Sequence, residues 1–486
     1  MSRFFLCLLL SLAGILPAHA HIGNKDVYEE VSAGPYRLFV TIRTPIVIPG
    51  VAAIEVRSSG ARVNSIRVTP TPLTGEAANH PPSSDALQQS GVDPAFFSGS
   101  LWLMAAGSWQ VHFALNGAGG PAMTSIPVPA MPLSILPMQP WLGITLGLLG
   151  LLLVVGMGGI AAAAVGQSRL DQDLNPGPDA RRKGLLAGGI TVAFAALLIY
   201  GGYTWWNAEA TAYAADIYHP LRLTPVLSGN TLDLHIGRLE TDARHPFRGR
   251  ANNDLLPDHG HLMHLYAIRQ PGMDAAFHLH PALMSPGNLR MTLPAMPAGT
   301  YHLYADVVHA NGFPETLSAD LTVPSGMASA PLAAEDAAAA PPALAQGELG
   351  TKYALPDGYS MVWERPTALQ ANTGYQLRFQ LLDSAGRPAA DARPYLGMAG
   401  HAAFVKVDGT VFAHTHPEGS APMQSMMLAN TGMADDGMSA GAEHSAAISP
   451  EVGFPYGFPS PGRYRIFIQM KHANTVETGV FDAEVR

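Results

Sequence analysis

The sequence predicts a mainly β protein: three immunoglobulin-like β-sandwich modules and two transmembrane helices. Three observations predict it. Short β-type runs alternate with Gly, Pro and Ser clusters through most of the chain, two long apolar stretches interrupt them, and a histidine pattern occurs twice, in order, in the C-terminal half. His264, His278-Leu279-His280-Pro281 and His309-Ala310-Asn311 reappear as His401, His414-Thr415-His416-Pro417 and His472-Ala473-Asn474.

The chain opens with Arg3, an apolar run from Phe4 to Leu16, and Ala18-His19-Ala20, the pattern of a secretory signal peptide over residues 1–20. Cleavage there puts His21 at the mature N-terminus. The only cysteine, Cys7, lies inside the discarded segment, so the mature chain is expected to form neither a disulfide nor a thiolate metal site. That excludes a type 1 copper site, which needs a cysteine ligand.

Residues 21–135 carry runs such as Tyr36-Arg37-Leu38-Phe39-Val40-Thr41-Ile42 and Ser108-Trp109-Gln110-Val111-His112-Phe113, spaced as in a first sandwich. Residues 141–165 and 184–206 each exceed the roughly 20 apolar residues a spanning helix needs. The loop between them, residues 166–183, holds Arg169, Arg181, Arg182 and Lys183, and such an excess of cations marks the cytoplasmic side. Both flanking regions then face the periplasm, in agreement with the signal peptide. The expected location is a bacterial inner membrane, with Trp141, Trp205 and Trp206 at the outer interface. Gly143 and Gly147 form a small-residue pair suited to helix packing. A net charge of −9 with no basic stripe argues against nucleic acid as a partner.

Beyond the helices, residues 210–324 and 348–486 form two repeats separated by an Ala- and Pro-rich linker, residues 325–347. Their similarity extends past histidine: Gly299-Thr300-Tyr301-His302-Leu303-Tyr304 matches Gly462-Arg463-Tyr464-Arg465-Ile466-Phe467, and Glu315-Thr316 matches Glu477-Thr478. An internal duplication accounts for both.

Within a strand, residues i and i+2 share a face, so His278 with His280, and His414 with His416, each present a chelating pair. The following proline ends the strand and places the pair at a sheet end. His264 and His401 lie one strand and one turn upstream, where antiparallel pairing sets them opposite the pair. His309 and His472 complete two expected sites, with Glu315 and Glu477 as further ligands or orienting groups. Neutral imidazole suits copper, zinc, iron and nickel. The alternative is a set of structural histidines bonded along sheet edges. His259, His261 and His302 exist only in the first copy and rank as auxiliary.

An insertion in the second repeat carries Met423, Met426, Met427, Met433, Met438 and His444 among polar residues. Thioethers select Cu(I), so this loop makes copper the expected metal, with zinc as the alternative; incidental methionine in a flexible loop is the competing reading. His21 offers an α-amino nitrogen and an imidazole, and with His112 or His80 it would form a three-nitrogen copper brace.

Tyr395-Leu396-Gly397-Met398-Ala399-Gly400-His401, Phe412-Ala413-His414-Thr415-His416-Pro417 and Pro461-Gly462-Arg463-Tyr464-Arg465 resemble the YtkA-like exported β-sandwich proteins. Residues 21–135, with Gly34-Pro35-Tyr36-Arg37-Leu38, are loosely similar to YtkA-like, FixH-like or CopC-like modules, although the CopC pattern is not matched beyond the first mature residue. The resemblance implies periplasmic metal binding rather than catalysis. The expected function is membrane-anchored copper tolerance or delivery, with a metal ion, the membrane, and a periplasmic metal chaperone or oxidase-assembly factor as partners. Two rivals stand beside it: a periplasmic scaffold for oxidase assembly, and a histidine-ligated metalloenzyme with an open coordination position. No general base or nucleophile constellation favours the enzyme.

Overall fold

The computed structural model describes residues 21–22 by their backbone and residues 26–168, 175–237, 251–431 and 447–486 in full. The signal-peptide reading therefore lies outside the described residues. The chain divides into two compact units, one running to Met131 and resuming at His219, the other spanning Pro132–Tyr218.

The smaller unit holds two helices, α1 (Pro140–Gln167) and α2 (Pro178–Ala215), both long and apolar enough to cross a membrane. Both run past the stretches anticipated from hydropathy. They pack through Gly158 and Gly166 of α1 against Gly184 and Gly188 of α2: a Cβ on Gly184 would meet the Ala162 carbonyl oxygen at 2.6 Å, and one on Gly188 the Gly158 carbonyl oxygen at 2.8 Å. Only glycine permits that backbone approach. Gly147, by contrast, has open space around it, so the Gly143/Gly147 pair is not the packing motif here.

The larger unit is mainly β; among the described residues 45% lie in strands, which form six sheets. Buried apolar side chains of these sheets gather in several core clusters. In the N-terminal module, Leu38, Val40 and Ile54 of one sheet meet Val68, Val111 and Phe113 of the other. In the first repeat a four-stranded sheet faces a six-stranded one across Leu232, Leu234, Leu265, Ala267 and Leu303. The second repeat copies this with Trp363, Phe379, Ala402, Phe404 and Ile466.

The six-stranded sheets are buried on both faces, and strand parity explains how. Leu265 and Ala267 point into their own sandwich, so Tyr266 and Ile268 point out. The outward set joins Ala403, Val405, Phe412 and Phe467 of the second repeat in a fourth apolar cluster between the repeats. Tyr304 stacks on Phe412 with ring centroids 4.2 Å apart. Arg465, fully buried, pairs with Asp482 at 2.8 Å and donates to the carbonyls of Met273 and Pro342 at 3.0 and 2.9 Å.

Two segments depart from expectation. The Ala/Pro linker is partly a strand: Ala337–Ala339 pairs with Ala276–Leu279 and extends the first repeat's sheet. His21–Ile22 does not join the N-terminal module but pairs, in parallel, with Val411 and Phe412 of the second repeat.

Candidate metal centre

The same parity that builds the inter-repeat core places the histidines. His264 and His278 share the outward face with Tyr266, and His401 and His414 share the corresponding face with Ala403 and Phe412. Continuing the antiparallel registers sets His264 opposite His280, and His401 opposite His416. The strands Ala276–Leu279 and Val411–Thr415 end before each proline, so His280 and His416 stand just past the sheet edge. Each HxH pair converges, with ring centroids 4.6 Å apart for His278 and His280 and 4.7 Å for His414 and His416.

The expected two separate sites are in fact one cluster. Because both outward faces meet between the repeats, the two sets face each other: His264 and His401 lie 6.3 Å apart by centroid, and His414 lies 5.3 Å from His264 and 5.6 Å from His278. Two triads within it have ligand nitrogens inside 4.8 Å of one another. One is His264, His278 and His280; the other is His259, His401 and His416. The second takes a member from each repeat.

Hydrogen bonds fix the tautomers of the first triad. The Asp258 carbonyl can only accept, so His264 Nε2 carries the proton (3.1 Å) and Nδ1 presents its lone pair. His280 Nδ1 donates to the Asp336 carboxylate at 2.9 Å, which frees its Nε2. His278 Nδ1 lies 2.8 Å from Gln469 Oε1 and 3.4 Å from the Tyr395 hydroxyl. Tyr395 already donates its one proton to the Glu335 carbonyl at 2.8 Å, so it accepts from His278 Nδ1–H. His278 Nε2 then faces His264 Nδ1, lone pair to lone pair, at 3.0 Å. Uncompensated, that contact is repulsive. A cation bonded at about 2.0–2.1 Å to each nitrogen spans 3.0 Å at an N–metal–N angle of roughly 91–97°.

The remaining inward nitrogens have no partner. His259 Nε2, His280 Nε2, His414 Nε2 and both ring nitrogens of His401 and His416 are buried without a hydrogen bond. Leaving one buried polar atom unsatisfied costs about 1–3 kcal/mol, and these atoms sit on five rings; a neutral imidazole has one lone pair, so bound cations satisfy one nitrogen of each ring and remove most of that penalty. Burial, reinforced by neighbouring imidazoles, holds His264, His278, His401 and His416 well below the usual histidine range. They are neutral at neutral pH, the form that ligates metal. The donor set is all nitrogen with carboxylate support, which fits copper or zinc.

The other expected ligands lie elsewhere, and parity again gives the reason. His309 continues the inward-facing series Tyr301, Leu303, Ala305 and Val307, opposite to His264. It bonds Asp254 at 2.8 Å and Glu315 at 2.9 Å. Burial lowers its pKa, but those two carboxylates outweigh it and raise the net value. His472 likewise continues the inward series ending at Met470, and sits under Tyr359 (3.9 Å, stacked) with Asp357 at 2.8 Å. Asp357, His472 and Glu477 form a separate group of close ligand atoms.

The methionine segment is not an open loop over its first part. Met423–Asn430 forms helix α3, and Met426 is buried against the N-terminal module's core. The helix is tied down by Gln424 N–H to Asp258 Oδ1 (3.0 Å), Ser425 Oγ to the Gly312 carbonyl (2.9 Å) and Asn430 to Ser125 (3.1 Å). Met427 is exposed. Met433, Met438 and His444 lie outside the described residues. The His21 imidazole and amine are not described, and one expected partner is engaged: His112 bonds Ser125 Oγ at 2.6 Å and Thr71 Oγ1 at 3.1 Å.

Sequence reasoning ranked His259 as auxiliary, yet it completes a triad. Its turn is the counterpart of the one at Leu396: His259 and Leu396 adopt φ of 49° and 51°, and Asp258 bridges His261 as Tyr395 bridges Met398. Gln469, Asp306 and Asp336 were missed as orienting groups. The signal for two of them was a polar residue at the same position of the duplicated strands Gly299–His309 and Gly462–His472, inside otherwise apolar runs.

No curated protein matches the chain. Solved structures similar to it include a tetra-tandem repeat from the extending region of a large adhesion protein, at 7% identity over 94% of this chain and 82% of that one with a TM-score of 0.16. A Salmonella alpha-2-macroglobulin reacted with methylamine matches at 8% identity over 98% of this chain and 24% of that one, with a TM-score of 0.20, so this chain spans about a quarter of its length. Likenesses this distant carry no argument about function. Residues 229–325 and 353–486, the two repeats without the linker, match the model of a domain of unknown function, DUF8832.

Proposed function

We propose that this protein is a membrane-anchored, periplasmic copper-binding protein acting in copper tolerance or delivery, with immunoglobulin-like modules held at the outer face by α1 and α2. The observation that carries the reading is the set of buried inward imidazole nitrogens without hydrogen-bond partners, facing one another between the repeats. A set of structural histidines would be expected to bond its ring nitrogens, as His112 and His309 do.

Membrane anchoring rests on the length and apolar character of the two helices, and outward orientation on Arg181, Arg182 and Lys183 at the start of α2. Burial supports binding rather than catalysis: the imidazoles are enclosed by protein, which suits a metal ion better than an organic substrate. Copper over zinc rests on soft-ligand chemistry in the methionine segment. A scaffold role is the second reading, favoured by the apolar cluster that joins the repeats without any need of metal.

Metal analysis separates the two. Full-length protein purified in detergent, stripped with chelator and reloaded, should retain copper through gel filtration, and the double variant His264→Ala/His401→Ala should not. Equal retention by both proteins, or none by either, removes the proposed function and leaves the scaffold.

A further inference from the structure

The two triads are not equivalent, and together they offer more ligands than one ion can use. Zinc takes four ligands in structural sites, and copper bound by imidazole needs no more, whereas six triad histidines and His414 converge here. His414 abuts both triads, with its ring centroid 5.3 Å from His264 and 5.5 Å from His401, and its Nε2 is buried and unpartnered.

We propose that the cluster is a dinuclear centre that holds two Cu(I) ions, one in each triad, with His414 between them as a shared or alternating ligand. The inference rests on the metal-binding reading above and extends it to stoichiometry and oxidation state. Charge selects the oxidation state. Two buried ions of +2 would leave four positive charges among neutral imidazoles, and isolated buried charge is costly. Two carboxylates contact the seven histidines from outside: Asp336 on His280 at 2.9 Å and Asp306 on His414 at 3.2 Å. Two monovalent ions match them charge for charge.

The triads differ in preorganisation. The Asp258 carbonyl, Gln469 and Asp336 lock the rings of His264, His278 and His280, whereas in the other triad neither ring nitrogen of His401 has a hydrogen-bond partner. The locked triad is the tighter site, because second-sphere partners fix ring orientation and ligand basicity before the ion arrives. The unlocked one can release its ion by turning its rings, as a delivery site must.

The test is an anaerobic titration of the full-length protein in detergent with Cu(I) against a chromophoric Cu(I) chelator. Two equivalents per chain should leave the chelator, in two steps of different affinity. The variants His264→Ala/His280→Ala and His259→Ala/His416→Ala should each bind one. A parallel Zn(II) titration should give no more than one equivalent. One Cu(I) equivalent in the wild type overturns the dinuclear centre while the proposed function stands; none overturns both. Two equivalents in both double variants also overturn it, as do two equivalents of Zn(II). Should a variant fail to fold by near-ultraviolet circular dichroism, the wild-type stoichiometry alone decides.

Discussion

His278 Nδ1 in the first repeat bonds Oε1 of Gln469 in the second, at 2.8 Å. The duplication makes this contact reciprocal. Gln469 and Asp306 occupy the same position in the strands Gly462–His472 and Gly299–His309, and Asp306 reaches back across to His414 at 3.2 Å. Each repeat thus orients a histidine of the other, and neither half of the centre is complete alone. Gln469→Leu removes the acceptor that sets the His278 tautomer and should weaken copper binding about 10–100-fold, the range for loss of an orienting partner. Gln469→Glu keeps an acceptor and should retain most of the affinity, as read by chelator competition.

Arg465 tests how the repeats are joined. Its guanidinium is fully buried, pairs with Asp482 and caps two carbonyls of the other repeat and linker. Arg465→Ala leaves the buried Asp482 carboxylate without its counter-charge, keeping only the Leu349 N–H at 2.9 Å, and should cost about 3–5 kcal/mol in chemical denaturation. Lys cannot reproduce the fork, so Arg465→Lys should recover only part of that loss.

Acid should loosen the metal-free protein. His264, His278, His401 and His416 have folded-state pKa values well below the ordinary one, so below about pH 6.5 the unfolded chain binds more protons than the folded one. Stability therefore rises with pH through that window and is lost as pH falls, at up to about 1.4 kcal/mol per pH unit for each histidine. The folded pKa of Glu477 is raised to about 7, chiefly by burial. Its effect runs the other way: stability is full below the unfolded carboxyl range and declines as pH rises towards 7. Glu477→Gln should remove that decline, and thermal unfolding from pH 5 to 8 reads both effects.

Met426 belongs to a core. Met426→Ala should cost about 2–5 kcal/mol by cavity formation and leave the copper stoichiometry unchanged. Deleting residues 420–444 would remove this anchor together with any thioether ligands. Deletion of residues 432–446, which keeps helix α3, is the cleaner probe of the methionine segment, and it should weaken Cu(I) binding in chelator competition.

Much of this architecture is legible in the residues, and the limits of legibility are physical. The HxH pairs and their opposite histidines follow from period-2 alternation and antiparallel pairing, and they converge in the structure. His309 and His472 were misplaced because residue types were matched without strand parity: Tyr301, Leu303, Ala305 and Val307 already assign the odd positions to the core, and His309 with them. That the two sets form one cluster could not be read from either repeat, because it depends on which faces of two sheets meet. Tyr266, Tyr304 and Phe412, outward yet apolar, were the available hint. The linker showed only Ala and Pro, while Asp336 within it holds His280.

The central claim is that copper is held by imidazoles between the repeats. X-ray absorption at the copper edge of the loaded full-length protein tests it most directly. The account predicts a first shell of three or four nitrogens at about 2.0 Å with the outer-shell scattering of imidazole, lost in His264→Ala/His401→Ala. A first shell without imidazole nitrogen, or a nitrogen shell unchanged in that variant, would place the metal elsewhere and contradict the account.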